Sequence, residues 1–309
     1  MTFQACSAYS TYAMRYEYHC LSDTGRVRKN NEDAVFFDSQ RGIALLADGM
    51  GGHHAGEVAS AMAIAHIQAD FAPWLDSAGR DADSAAITSA MADCARHANS
   101  AIHQAAQADA ARAGMGTTLV FGVFLPARIF IGHVGDSRGY RWRGGALQRL
   151  TRDHSVVQEY LDAGFIEEHE AATAPYRGVL TRALGSEEAV EMDIGEHAPE
   201  PGDLYLLCSD GVTDMLADAR IAELLAASAR HPDNTGTLEA LAERVIGAAN
   251  QAGGRDNASL VLARVCADEE PGEGRSARPA RSTSPRASRA SGTDDRPAPA
   301  GRAARSNKK

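Results

Sequence analysis

The chain has 309 residues, 44% of them hydrophobic, with 41 acidic and 31 basic side chains for a formal net charge of −10. That length and composition hold a substantial core in one large domain or two small ones, and the acidic excess argues against a nucleic-acid-binding catalytic face. No stretch approaches the ~18 consecutive apolar residues of a membrane span, and the N-terminus lacks the basic flank and apolar core of a signal peptide.

Residues 1–14 show no clear period and read as a loose leader, with the folded domain expected over 15–266. Short β-like runs follow at 16–20, 34–38 and 43–47, rich in Tyr, Val, Ile, Phe and Leu. Helical spacing of small apolar residues covers 55–71 and 84–112, the second stretch ended by Gly114. Strand patterns return at 117–124 and 128–134, with Pro126 in the connection. Then 139–143 faces 146–150 across Gly144-Gly145, a hairpin signal. Residues 155–185 read as short helices and loop, 204–208 as a buried strand, 217–228 and 236–252 as helices, and 258–265 as a last strand. Residues 267–309 are rich in Pro, Ser, Arg, Ala and Gly and cannot bury enough surface to offset ordering, so they are predicted to be disordered. From Gly274 onward that tail has ten Lys or Arg against only Asp294 and Asp295, so the acidic excess lies in the body. Hairpins interleaved with pairs of long helices point to an α+β fold of antiparallel sheets stacked face to face with helices outside.

Five cysteines, Cys6, Cys20, Cys94, Cys208 and Cys266, include no CxxC pair. This implies neither a zinc site nor a disulfide framework and fits a reducing cytoplasm. The informative residues are aspartates: Asp48 in Leu45-Leu46-Ala47-Asp48-Gly49-Met50-Gly51-Gly52, Asp210 in Leu206-Leu207-Cys208-Ser209-Asp210-Gly211, and Asp256 in Gly253-Gly254-Arg255-Asp256-Asn257. A buried strand ending in Asp-Gly delivers a carboxylate to the sheet rim and exposes a backbone carbonyl. Taken singly, Asp-Gly is ordinarily a turn. Several such ends brought together make an oxygen-rich pocket suited to Mg²⁺ or Mn²⁺.

These segments have ordered company. Ser22-Asp23-Thr24-Gly25-Arg26-Val27-Arg28-Lys29-Asn30-Asn31-Glu32-Asp33 precedes Asp48; Gly114-Met115-Gly116-Thr117-Thr118 and Gly132-His133-Val134-Gly135-Asp136-Ser137-Arg138 follow it. Leu150-Thr151-Arg152-Asp153-His154-Ser155 and Leu180-Thr181-Arg182-Ala183-Leu184-Gly185 come next, before Asp210 and Asp256. From about Tyr16 to Val265 the chain closely resembles the bacterial branch of the metal-dependent serine/threonine protein phosphatases, the protein phosphatase 2C family.

The resemblance implies a four-layer α-β-β-α sandwich with a metal site at one edge of its two antiparallel sheets. It implies two Mn²⁺ or Mg²⁺ ions about 4 Å apart that activate a water for attack on phosphoserine or phosphothreonine. By the same resemblance Asp48 bridges both ions, the Gly49 carbonyl completes one shell, and Asp210 and Asp256 each add a carboxylate. Glu32 and Asp33 match an acidic pair that holds the ions' waters. Asp136 matches a ligand of a third, weaker ion shared with Asp210, although an Asx turn explains it locally. Arg28 matches the arginine that grips the substrate phosphate, for which a planar guanidinium suits two oxygens at once.

Met50 stands where some members carry a histidine proposed as general acid; Met has no proton to give, and His53 and His54 are not in the same place, so that role is unassigned. His154 reads as a structural hydrogen-bonding residue, and 155–180 as the family's variable flap beside the active site. The implied partners are phosphorylated protein substrates, including a bacterial serine/threonine kinase that the enzyme opposes, for a cytoplasmic monomer. Two other readings stand beside this one. A catalytically dead phosphopeptide-binding relative ordinarily lacks a metal ligand that this chain keeps. A nucleotide-binding protein would need GxGxxG or GxxxxGK[ST], which the glycines of 49–52 do not form.

Overall fold

The computed structural model describes residues 14–51, 55–79, 81–171, 173–229 and 237–267. The chain divides after Asp268 into two units, and all described residues belong to the first. The predicted leader, but for Met14, and the predicted tail, but for Ala267, lie outside the described residues.

Among the described residues, eleven strands build two antiparallel sheets. The first has the order β1 (Met14–Asp23), β11 (Ala258–Ala267), β10 (Leu204–Cys208), β7 (Arg138–Arg143), β8 (Ala146–Arg149). The second runs β2 (Asp33–Asp38), β3 (Ile43–Met50), β5 (Leu119–Phe124), β6 (Ile129–Val134), β9 (Asp193–His197), with the short β4 (Gly116–Thr117) pairing to the end of β3. The helices are α1 (Ala55–Ala78), α2 (Ser84–Ala108), α3 (Val156–Asp162), α4 (Glu168–Ala171), α5 (Asp210–Thr213), α6 (Asp218–Ala229) and α7 (Leu238–Gln251).

Three apolar layers explain the stacking. Between the sheets, Ala44, Leu46, Val120, Phe124, Ile129 and Ile131 meet Tyr205, Leu207, Val261, Ala263 and Val265. The outer face of the second sheet packs Leu45, Phe121 and Phe130 against α1 and α2, where Ala59, Ala63, Ala95 and Ala98 let the helices approach closely. The outer face of the first sheet packs Leu206, Leu260 and Leu262 against Leu241, Val245 and Ile246 of α7 and Ile221 and Leu225 of α6. Alternation along β3 sends Leu45 to one layer and Leu46 to the other, as a period of two requires. Each fully buried Leu or Phe is worth about 1.5–3 kcal/mol. The expected α-β-β-α order is what these contacts produce.

Differences from the sequence reading have local causes. The helix predicted to end at 71 continues to Ala78 through Pro73, because Phe71 and Leu75 are buried on its inner face and Trp74 stacks on Phe71. The helix predicted to reach 112 ends at Ala108 and gives way to a 3-10 turn at Ala110–Arg112, capped by the Asp109 side chain. The unpredicted strand β9 is short and half-exposed, with Asp-Ile-Gly-Glu-His offering only Ile194 to the core. The Gly144-Gly145 hairpin forms as read, both glycines taking positive φ (57° and 91°) between Arg143 and Ala146.

Candidate metal centre

Antiparallel pairing puts the chemistry on one rim. β1, β3 and β10 end where β11, β2 and β7 begin, as the registers Asp23 with Ala258, Asp33 with Asp48 and Cys208 with Arg138 show. A cleft of about 270 Å³ opens there, lined by Arg28, Glu32, Asp48, Gly49, Met50, Gly51, Thr118, Asp136, Gly178, Leu180, Asp210, Asp256 and Asn257. Of the ligand and phosphate-binding candidates named from the sequence, all but Asp33 line this cleft. Residues His53 and His54 lie outside the described residues.

Each ligand candidate is held by its own backbone. The Asp48 N–H donates to Thr118 Oγ1 at 3.0 Å, and the Asp48 carbonyl accepts from Thr118 N–H at 2.9 Å and Thr117 Oγ1 at 2.8 Å. Gly49 must be glycine: a Cβ there would lie 2.1 Å from the Gly56 carbonyl oxygen and 2.5 Å from that of Glu32. Gly56, in the first turn of α1, lets the Glu32 carboxylate and the Gly49 carbonyl approach, since a Cβ would meet Glu32 Oε2 at 2.3 Å and Gly49 O at 2.8 Å. Asp210 opens α5 directly after β10, and the Cβ missing from Gly211 would collide with the Asn257 carbonyl oxygen at 1.9 Å. These close approaches draw the ends of β10 and β11 together.

Asp33 sits behind the cleft, opposite Asp48 across the β2–β3 ladder, where like charges repel. Its Oδ2 accepts from Ser209 Oγ at 2.9 Å, while its buried Oδ1 has no hydrogen-bond partner. Burial is the largest cause pushing the Asp33 carboxyl up to about 6 and the Asp136 carboxyl likewise to about 6. Burial, then the charges of Asp33, Asp210, Asp136 and Asp256, holds Asp48 well above the ordinary carboxylate range. Asp210 is raised the same way, by burial and then by Asp136, Asp214, Asp256 and Asp33. Glu32, Asp48, Asp136, Asp210 and Asp256 thus converge with a glycine carbonyl, and among the described residues Arg28 is the one cation lining the cleft. An all-oxygen donor set with excess negative charge fits hard divalent cations.

The Arg28 guanidinium, at the cleft mouth, donates to Asp256 Oδ2 at 2.6 Å. Its loop is tied down by Asn257, whose role the sequence reading missed although Asp256-Asn257 marked the place. The Asn257 Oδ1 accepts from Glu32 N–H at 2.8 Å, and Nδ2 donates to the carbonyls of Thr24 at 3.0 Å and Asn30 at 2.8 Å. Arg26 N–H adds a bond to the Gly254 carbonyl at 2.7 Å.

His154 clamps the turn that presents Asp136. The Gly135 N–H donates to His154 Nδ1 at 3.2 Å, and His154 N–H donates to the Gly135 carbonyl at 2.9 Å. His133, His154 and Asp193 have ligand atoms within 4.8 Å of one another. Yet the two rings stack at 4.6 Å and 19°, so their lone pairs lie in nearly parallel planes that do not meet on one ion. Burial keeps both histidines below their ordinary pKa, as neutral hydrogen-bonding rings. Across the cleft, Arg177 of the flap pairs with Asp214 just after Asp210.

The family model described as Protein phosphatase 2C matches residues 25–245, a span that holds every ligand candidate except Asp256. The chain belongs to the protein phosphatase 2C family. It is 39% identical over 251 residues to the serine/threonine protein phosphatase PstP of Mycobacterium tuberculosis, covering 80% of this chain but 45% of PstP. The chain therefore spans about half the length of that relative. Against protein phosphatase PhpP of Streptococcus pneumoniae it is 35% identical over 260 residues, covering 83% of this chain and 100% of PhpP. The PstP catalytic domain solved with two manganese ions matches with a TM-score of 0.69 and 37% identity over 82% of this chain and 99% of that one. A rim of carboxylates at the sheet edge is thus this protein phosphatase 2C domain's candidate metal centre.

Proposed function

We propose that the protein is a metal-dependent protein serine/threonine phosphatase that hydrolyses phosphoserine and phosphothreonine in proteins, including substrates of a bacterial serine/threonine kinase. The observation that carries this reading is the convergence of Glu32, Asp48, Gly49, Asp136, Asp210 and Asp256 with Arg28 in one cleft of a protein phosphatase 2C domain. Two Mn²⁺ or Mg²⁺ ions, when bound, supply a lowered pKa for the attacking water and shielding of the phosphoryl charge. Asp48, the Gly49 carbonyl, Asp210 and Asp256 would hold those ions, with Glu32 and Asp33 orienting the surrounding waters. Asp136 and Asp210 would share a third, weaker site.

Arg28 binds the substrate phosphate, leaving Asp256 free to turn inward. Its half-exposed position at the mouth, with 55% of the side chain accessible, suits such an exchange of partners. Met50 lines the cleft but carries no proton, so the leaving alkoxide takes its proton from water. The reading includes a cytoplasmic monomer: the described cysteines Cys20, Cys94, Cys208 and Cys266 are free thiols, as a reducing compartment keeps them. No described helix is long and apolar enough to cross a membrane.

The test is phosphate release from phosphoserine and phosphothreonine peptides with Mn²⁺, with and without chelator, with an attempt to trap phosphoenzyme by denaturant quench. Chelator-sensitive release without a phosphoenzyme is expected. A trapped covalent intermediate, or no release at any Mn²⁺ concentration, would overturn the reading.

A further inference from the structure

Among the described residues, the large apolar side chains that stand exposed are Val27 at 66%, Phe165 at 75%, Tyr176 at 39% and Val179 at 48%. Phe165, Tyr176 and Val179 belong to the flap, and Val27 to the loop that carries Arg28. Val27 immediately precedes Arg28 on one side of the metal cleft, and Val179 sits between Gly178 and Leu180, which line it on the flap side. Tyr176 and Val179 belong to a single turn, closed by the Val179 N–H donating to the Tyr176 carbonyl at 3.2 Å. That turn is fastened to the start of α3 by the Val156 N–H on the Val179 carbonyl at 3.0 Å and by the Ser155–Leu180 bridge. The Tyr176 ring packs on Tyr160 at 5.1 Å between centroids, and Tyr160 on Phe165 at 5.9 Å, extending the apolar surface outward.

Scattered exposed apolar residues are ordinary on a protein surface, whereas their collection beside one cleft marks a place that meets a partner. We propose that this rim binds the apolar side chains flanking the phosphorylated residue of the protein substrate. The enzyme then selects phosphoserine or phosphothreonine set between aliphatic or aromatic neighbours. This rests on the phosphatase reading above. A phosphate held by Arg28 brings the adjacent residues, spaced about 3.3 Å apart along an extended chain, over Val27 on one side and the 176–179 turn on the other. Arg26 and Lys29 flank Val27-Arg28 and would attract acidic neighbours. Exposed ion pairs contribute little in water, however, while apolar contact removes area from it.

The experiment compares phosphothreonine peptides carrying Leu, Ala or Asp on both sides of the phosphorylated residue, with the full chain and Mn²⁺. For each protein, kcat/KM is normalised to its turnover of p-nitrophenyl phosphate. The Leu-flanked peptide is expected to exceed the Ala-flanked one by about three- to tenfold. In Val27→Ser/Val179→Ser that ratio should fall to within twofold, and Phe165→Ser should lower it in part. Equal rates for Leu and Ala flanks, a preference for Asp flanks, or a ratio unchanged by the substitutions would overturn the proposal. Failure to hydrolyse p-nitrophenyl phosphate as well would instead strike the phosphatase reading.

Discussion

Asn257→Ala tests anchoring of the site, because its side-chain amide hydrogen-bonds to backbone of the loop that carries Arg28 and Glu32. The side chain is 5% exposed and makes three hydrogen bonds, to Glu32 N–H and to the Thr24 and Asn30 carbonyls. At about 0.5–1.5 kcal/mol net for each bond, truncation should cost roughly 1.5–4.5 kcal/mol. For a domain of this size that lowers Tm by roughly 3–18 °C. The freed loop no longer fixes Arg28, whose charge-assisted contact with phosphate is worth about 1.5–3 kcal/mol. A fall in kcat/KM of about tenfold or more is therefore expected.

The assay is a double-mutant cycle with Arg28→Ala on a phosphothreonine peptide, beside thermal unfolding of each variant. If Asn257 acts by positioning Arg28, the double variant should be no more than about threefold worse than Arg28→Ala alone. Asn257→Asp keeps the acceptor for Glu32 N–H but loses both donors, and should rescue less than half of the stability loss. Fully multiplicative losses in the cycle would refute the positioning role. So would an Asn257→Ala protein with Tm within 1 °C and kcat/KM within twofold of the parent.

Other expectations follow from the crowded carboxylates. Asp48→Asn and Asp210→Asn should each abolish turnover and weaken Mn²⁺ binding by calorimetry, yet raise the metal-free Tm, because each relieves burial of a like-charged group; near-normal activity at low Mn²⁺ would refute the ligand assignment. Arg28→Ala should lower kcat/KM about ten- to a hundredfold while Mn²⁺ binds no more weakly, since Asp256 loses a competing partner; Arg28→Lys should recover only part of that loss. Metal-free stability should depend on pH with a definite sign. Asp33 and Asp136 are raised from 3.8 to about 6, so the folded state binds more protons than the unfolded one, and stability falls as pH climbs through that window. Calorimetric scans in chelator from pH 5 to pH 7 should show a falling Tm, with Mn²⁺ reversing the trend; a rising metal-free Tm would contradict the crowding.

Much of this protein was legible along the chain. The apolar runs at 43–47 and 204–208 read as buried strands, and the Asp-Gly steps that follow them put Asp48 and Asp210 at the sheet rim where the cleft opens. Local pattern carries that information because strand burial and sharp turns are set by near neighbours in sequence. It failed where a distant neighbour outvoted the local signal. Pro73 stays helical because Phe71 and Leu75 are buried on the same face, and β9 is a strand only because the edge of β6 was open to it. The site's second tier is likewise invisible in one dimension. The opposition of Asp33 and Asp48, the Arg28–Asp256 pair 228 residues apart and the reach of Asn257 back to Thr24 and Asn30 all depend on strand register. Residue types supply donors and charges; only the antiparallel pairing of β1, β2, β3, β10 and β11 decides which of them repel, which pair, and which one cleft they share.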